Sequence, residues 1–105
     1  MNVRIWSVAE QEVATAALWY EEQRSGLGSD FLDEYEAAMT AIEYDAVRFP
    51  VFESLLLDRP IRRSRLKRFP FAIVFEILRS EVVVYAVVHL SRDDEALRYR
   101  IQGDS

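Results

Sequence analysis

The sequence predicts an α+β domain of order β-α-α-β-β-β, a helical hairpin packed in two layers on a small, mostly antiparallel sheet. Two stretches in the first half carry apolar residues at helical spacing. Three stretches in the second half read as strands in quick succession. Only about four residues separate the helical stripes, so the two helices must turn back on one another. With 105 residues the chain makes one domain, residues 1–105. A chain of that length buries roughly two thirds of the surface its unfolded form exposes, so one core forms without staples. Half the residues are hydrophobic and 30% are charged, a globular composition rather than a disordered one.

Taken in order, residues 2–6 alternate Val3 and Ile5 against Asn2, Arg4 and Trp6, a short strand signal. Ser7-Val8-Ala9-Glu10 matches a capping box, with the serine hydroxyl and the glutamate each covering an orphan amide. Val13, Ala16, Ala17 and Tyr20 follow on one stripe, and Gly26 stops it, predicting a helix over about 8–25. The chain restarts at Gly28-Ser29-Asp30, with Ser29 or Asp30 as the cap. Phe31, Tyr35, Ala38, Met39, Ile42 and Ala46 form the second stripe, so the second helix runs to about 46. Pro50 ends the hairpin by disfavouring helix at Phe49.

Residues 51–60 read as a loop with apolar elements. Residues 61–67 form a basic strand, and 71–78 and 82–90 are nearly apolar strands joined by the short polar Arg79-Ser80-Glu81. Being apolar on both faces, that pair should be central and covered on each side. Residues 93–100 make one helical turn or a tail, and 101–105 fray. One sheet face takes the hairpin. The other is left for a ligand, a partner or the C-terminal segment.

The chain has no cysteine, which excludes disulfides, zinc–thiolate sites, iron–sulfur clusters and thiol catalysis. One histidine, His89, excludes a His-rich metal cage and a two-His acid–base pair. Asp93-Asp94-Glu95 reads as the acidic first turn of a helix rather than a metal site. No Walker loop, GxGxxG, GxSxG or HExxH occurs. No cofactor and no metal are therefore expected. Glu10 and Glu12 interrupt any secretory apolar region, and the longest apolar run, Val82–Val88, is seven residues. A bilayer span needs about 20, so the expectation is a cytoplasmic chain with no membrane partner.

The net charge of −5 argues against direct nucleic-acid binding, yet the charges are segregated. Residues 1–58 hold three arginines against twelve acids, whereas residues 59–105 hold ten cations against six acids. Arg59, Arg62, Arg63, Arg65, Lys67 and Arg68 fall within ten residues. If Leu66 faces the core, strand alternation places Arg63, Arg65 and Lys67 on the other face. They could offer forks for phosphate or carboxylate, or blunt a sheet edge. The acidic helices read as a solvated face. Trp6 and Trp19 read as core or hairpin-packing residues. His89, at the end of the last strand, is an acid–base candidate or a hydrogen-bonding residue. Arg92, Arg98, Tyr99 and Arg100 could converge on the open sheet face, where arginine and tyrosine suit phosphoryl transfer.

Longer runs carry a resemblance. Leu18-Trp19-Tyr20-Glu21-Glu22-Gln23, then Gly26-Leu27-Gly28 and Phe31-Leu32, resembles the helical hairpin of the RelE/ParE toxin superfamily. Arg65-x-x-Arg68-Phe69-Pro70-Phe71-x-Ile73-x-Phe75 resembles its R-x-x-R-F-P-Y-x-I-x-Y strand region. Val84-Tyr85-Ala86-Val87-x-His89, with Arg92 and Arg98 to Arg100, is similar to its closing strand and tail. The resemblance implies the toxin of a type II toxin–antitoxin (plasmid stabilisation) system, neutralised by a cognate antitoxin from an adjacent gene. It leaves open a homodimer or a hetero-oligomer with that antitoxin.

RelE-like members cut mRNA on the ribosome, and ParE-like members inhibit DNA gyrase. Here the arginine that the cleaving branch carries in its penultimate strand corresponds to Ala72. Its arginine after the last strand matches Arg92, and its catalytic tyrosine falls at Arg98, with Tyr99 one residue off. A ribonuclease would have to use Arg92, Tyr99 and Arg65. The Phe-Pro-Phe run and His89 sit better with the ParE-like branch. The resemblance thus implies an inhibitor acting by contact, most simply on gyrase. Arg62, Arg63, Arg65, Lys67, Arg68, His89, Arg92, Arg98, Tyr99 and Arg100 are then the candidates for binding target or antitoxin. The alternatives are the mRNA endonuclease and a non-toxic member that only binds an antitoxin.

Overall fold

In the computed structural model, which describes residues 1–103, four strands form one sheet in the order β1-β4-β3-β2. These are β1 (Asn2–Ile5), β2 (Arg62–Arg65), β3 (Phe71–Leu78) and β4 (Glu81–His89). β2–β3 and β3–β4 are antiparallel, and β1 lies parallel to β4, pairing Asn2 with Glu81 through Ile5 with Val84. The helices are α1 (Ser7–Gln23), α2 (Leu27–Asp45) and α3 (Asp94–Gln102). The α+β class and the hairpin-on-sheet arrangement hold. No helix among the described residues is long and apolar enough to cross a membrane.

α1 and α2 pack on one face of the sheet. Ala9, Val13, Ala16, Ala17, Phe31 and Ile42 meet Ile73, Phe75, Val82, Val84 and Val87 there. The opposite face is not open. Leu97 and Ile101 of α3, with Phe52, Leu55 and Ile61, cover Val74, Val83, Tyr85, Ala86 and Val88. A thin third layer therefore replaces the two-layer expectation, and α3 runs past the single turn expected. Ile101, expected to fray, is buried because it anchors that layer. Of the tail expected to fray, Asp104 and Ser105 lie outside the described residues.

Both helix starts differ from expectation for tertiary reasons. Trp6, not Ser7, occupies the cap position of α1, and no side chain caps it. The Trp6 N–H donates to the Val84 carbonyl and its ring meets Tyr85 edge-on, so the strand contact fixes the helix start. Ser7 lies inside the first turn and the capping box does not form. Gly26 caps α2 in the left-handed region at φ 89°, displacing Ser29 and Asp30 into the helix. The Glu21 carboxylate accepts from the Gly26 and Gly28 amides, supplying from α1 the acceptor that a local cap would supply. A Cβ at Gly28 would stand 2.5 Å from the Ala17 carbonyl oxygen, so glycine lets the two helices approach.

The expected β3–β4 hairpin forms through Arg79 and Ser80, both at positive φ as a two-residue type I′ turn requires. The register slips once, because Val74 faces Ala86 and Phe75 faces Val84. Tyr85 is the extra residue of a bulge. The bulge turns both Tyr85 and Ala86 toward α3 and returns Val87 to the hairpin side. Trp6 packs against the α3-side core, whereas Trp19 is 54% exposed, so its packing role is limited to an edge contact with Tyr20.

Candidate functional site

The basic strip does not form one surface. Arg62 turns to the hairpin side, where its guanidinium donates to the Val47 and Phe49 carbonyls below α2. Arg63 lies over the Phe52 ring, 4.0 Å from its centroid. Burial pulls its pKa below the ordinary arginine value, Arg65 adds to that, and Asp94 partly opposes it. Arg68 pairs with Glu34 of α2 at 3.1 Å while its amide also donates to that carboxylate. Burial raises the Glu34 pKa, but the amide and side-chain bonds from Arg68 and the Lys67 amide outweigh it and leave it lowered. Arg65 and Lys67 stay exposed beyond these pairs. As expected of the alternation, Leu66 is buried in the hairpin-side core.

The C-terminal candidates are also divided. Arg98 Nε donates to the Leu55 carbonyl at 2.6 Å, and Tyr99 is 79% exposed. Arg92 and Arg100 instead meet at a residue that sequence reasoning placed on a solvated face, Glu12 of α1. Glu12 Oε1 accepts from Arg100 Nη1 at 2.9 Å and from the Val87 amide at 3.1 Å. Its Oε2 accepts from Arg100 Nη2 at 2.8 Å and Arg92 Nη1 at 3.1 Å. Arg100 Nη1 also donates to the Tyr85 carbonyl at 3.1 Å. The one signal for Glu12 in the sequence is its place three residues after Ala9 and four before Ala16, beside the apolar stripe.

A second polar cluster was missed altogether. Glu76, 2% exposed within β3, accepts from the Tyr85 hydroxyl at 2.7 Å and from Arg59 Nη2 at 2.5 Å. Arg59 Nη2 also donates to the Tyr85 hydroxyl at 3.0 Å. Burial pushes the Glu76 carboxyl up, but the bonds from Arg59 and Tyr85 outweigh it and hold it below the usual carboxylate range. Burial, then the bond to Glu76, pushes the Tyr85 hydroxyl up to about 12. A tyrosine held neutral in that way is poorly suited to proton abstraction. The signal was a lone acid in the apolar run FAIVFEIL.

The row across the sheet at the position of the expected cleavage centre is Arg65–Ala72–Val88. Ala72 is buried, and the cleft there, about 20 Å³, is lined by Phe52, Arg63, His89, Arg92, Asp94 and Leu97 among others. The large concavity lies elsewhere, between α1 and the C-terminal half of β4. It measures about 850 Å³ and is mostly apolar, walled by Val8, Thr15, Trp19, Phe71 and Val87. Glu12, His89 and Arg92 supply polar groups along it. His89 Nδ1 accepts from the Ser91 amide at 3.0 Å and lies 2.8 Å from the Ser91 hydroxyl. That fixes the turn carrying Arg92, whose own amide donates to the His89 carbonyl.

Thus His89 and Arg92 line both the groove and the small cleft by Ala72, where Arg63 joins them, Arg100 meets Arg92 through Glu12, and Arg62, Arg65, Lys67, Arg68, Arg98 and Tyr99 do not converge with them. No protein-family model matches this chain, and no curated protein matches it.

Proposed function

We propose that the chain is a ParE-like toxin of a type II toxin–antitoxin system that acts by binding a protein target, DNA gyrase, rather than by cleaving RNA. The element order β-α-α-β-β-β, with a hairpin on one sheet face, is compatible with the RelE/ParE resemblance. The observation that carries contact over cleavage is how the candidate catalytic cations are engaged. Arg92 and Arg100 hold Glu12, Arg98 holds a backbone carbonyl, and beside Ala72 the Arg63 guanidinium lies over the Phe52 ring. Phosphoryl transfer requires donors aimed at the charge that develops on the phosphate. Arg92, Arg98 and Arg100 already donate within the chain, while Arg65 and Tyr99 stand exposed away from them.

The cognate antitoxin fits the groove beside α1 best as an amphipathic helix. An added strand would need the Val87 amide and the Tyr85 carbonyl, which Glu12 and Arg100 already occupy. A carboxylate on that helix would suit Arg92, since two guanidiniums share one glutamate. Arg65 and Lys67 form a separate exposed basic pair suited to an acidic stretch of target or antitoxin.

The test is expression without the neighbouring short reading frame, read by a gyrase supercoiling assay and by primer extension on cellular mRNA. Growth arrest with loss of supercoiling and no new mRNA ends is the expected result. New mRNA ends with intact supercoiling would replace this reading by the endonuclease, and unimpaired growth would leave an antitoxin-binding module.

A further inference from the structure

β1 stops at Ile5, opposite Val84, so among the described residues β4 continues from Tyr85 to His89 with no strand beside it on that edge. An open edge offers its amides and carbonyls to any other chain able to form a strand. The β2 edge is handled differently. The segment around Val51 bridges to Arg62, the Arg63 amide donates to the Pro50 carbonyl, and exposed Arg65 and Lys67 flank what remains. The free half of β4 has an apolar flank instead, with Trp19, Phe71 and Val87 along the groove.

We infer that the Glu12–Arg100 pair is an edge guard, which keeps two copies of this chain from pairing through the free half of β4. The pair spans the edge from α1 on one sheet face to α3 on the other. Glu12 occupies the Val87 amide and Arg100 the Tyr85 carbonyl, two ladder groups that an incoming strand would need. Both side chains are largely buried, 17% and 15% exposed, and the fork is two-pronged, so the guard is fixed rather than a passing surface contact. When it is removed, the edge that opens is self-complementary. A second copy in antiparallel register meets the same main-chain groups, and the apolar walls beside them become covered.

The experiment compares the wild-type chain, Glu12→Ala, Glu12→Gln and Arg92→Ala by light scattering over a wide concentration range, with amide exchange followed at Val87. The wild type stays monomeric with a protected Val87 amide. Glu12→Ala doubles in mass as concentration rises. Its Val87 amide exchanges roughly tenfold faster when dilute, as loss of a charge-assisted bond implies, and regains protection when concentrated. Glu12→Gln keeps an acceptor for Val87 and remains monomeric, as does Arg92→Ala, which leaves both edge groups capped. Should Glu12→Ala fail to fold, Arg100→Met, which retains the apolar stem, reports the same association. A folded Glu12→Ala that stays monomeric at every concentration overturns the inference. So does association that leaves Val87 unprotected.

Discussion

On the hairpin face of the sheet, Phe31 meets Tyr20, Phe69 and Phe71 with ring centroids 5.2 to 5.4 Å apart. On the α3 face the interior is mainly aliphatic and carries the buried Glu76 with its Arg59 and Tyr85 partners. Helix length accounts for the contrast. α1 and α2, of 17 and 19 residues, present a broad apolar stripe that seals its face by packing. α3 has nine residues and buries only Leu97 and Ile101. Directional polar bonds complete the second face: Arg98 to the Leu55 carbonyl, Arg100 to Glu12, and Arg59 to Glu76. One face is thus held mainly by area, the other by geometry and charge state.

Truncating the hairpin-side core should therefore have the largest effect. Phe31→Ala is expected to cost about 3–5 kcal/mol, the usual range for a fully buried ring that leaves a cavity. Urea unfolding measures this, and a loss below about 1 kcal/mol would break the contrast.

The α3 face should instead respond to pH. Tyr85 has a folded pKa of about 12, above the ordinary value of 10. Its contribution, about 2–3 kcal/mol in all, is fully present below pH 10 and is lost as pH rises to about 12. Glu76 has a lowered folded pKa, so its contribution is present above the ordinary carboxylate range and lost as pH falls through the lowered value. Stability curves for Tyr85→Phe and Glu76→Gln should be flatter on the alkaline and acid sides respectively. Because Tyr20 and Tyr35 on the hairpin face are also raised, a smaller alkaline slope should survive in Tyr85→Phe. If the two variants titrate as the wild type does, the ionic cluster does not hold that face.

The smallest expected effect is at the start of α3, where the Asp93 side chain accepts from the Glu95 amide at 3.0 Å. Asp93→Ala should cost about 1 kcal/mol. Amide exchange should show the loss as opening confined to α3, with the hairpin unaffected.

Much of the framework was legible because it follows local spacing. The stripe from Val13 to Tyr20 and the one from Phe31 to Ala46 lie on helices as their period requires. The apolar runs around Ile73 and Val87 became the two central strands, and the β3–β4 turn fell between them. The absence of cysteine and the alanine at position 72 are likewise fixed by composition and order, whatever the fold.

Tertiary structure decided the remainder. The α1 start moved to Trp6 because its amide binds Val84, and the α2 cap came from Glu21 rather than from a neighbouring serine. The basic residues between 59 and 68, adjacent in sequence, were dispersed among Glu76, a pair of backbone carbonyls, an aromatic ring, Glu34 and solvent. Glu12 met Arg100 across 88 residues of chain. Periodicity within an element specifies which side chains share a face. It carries no information about which distant element that face will meet, because that depends on how the sheet is ordered and where each strand stops. In this chain β1 ends halfway along β4, and that one length difference created both the groove and the edge that Glu12 and Arg100 close.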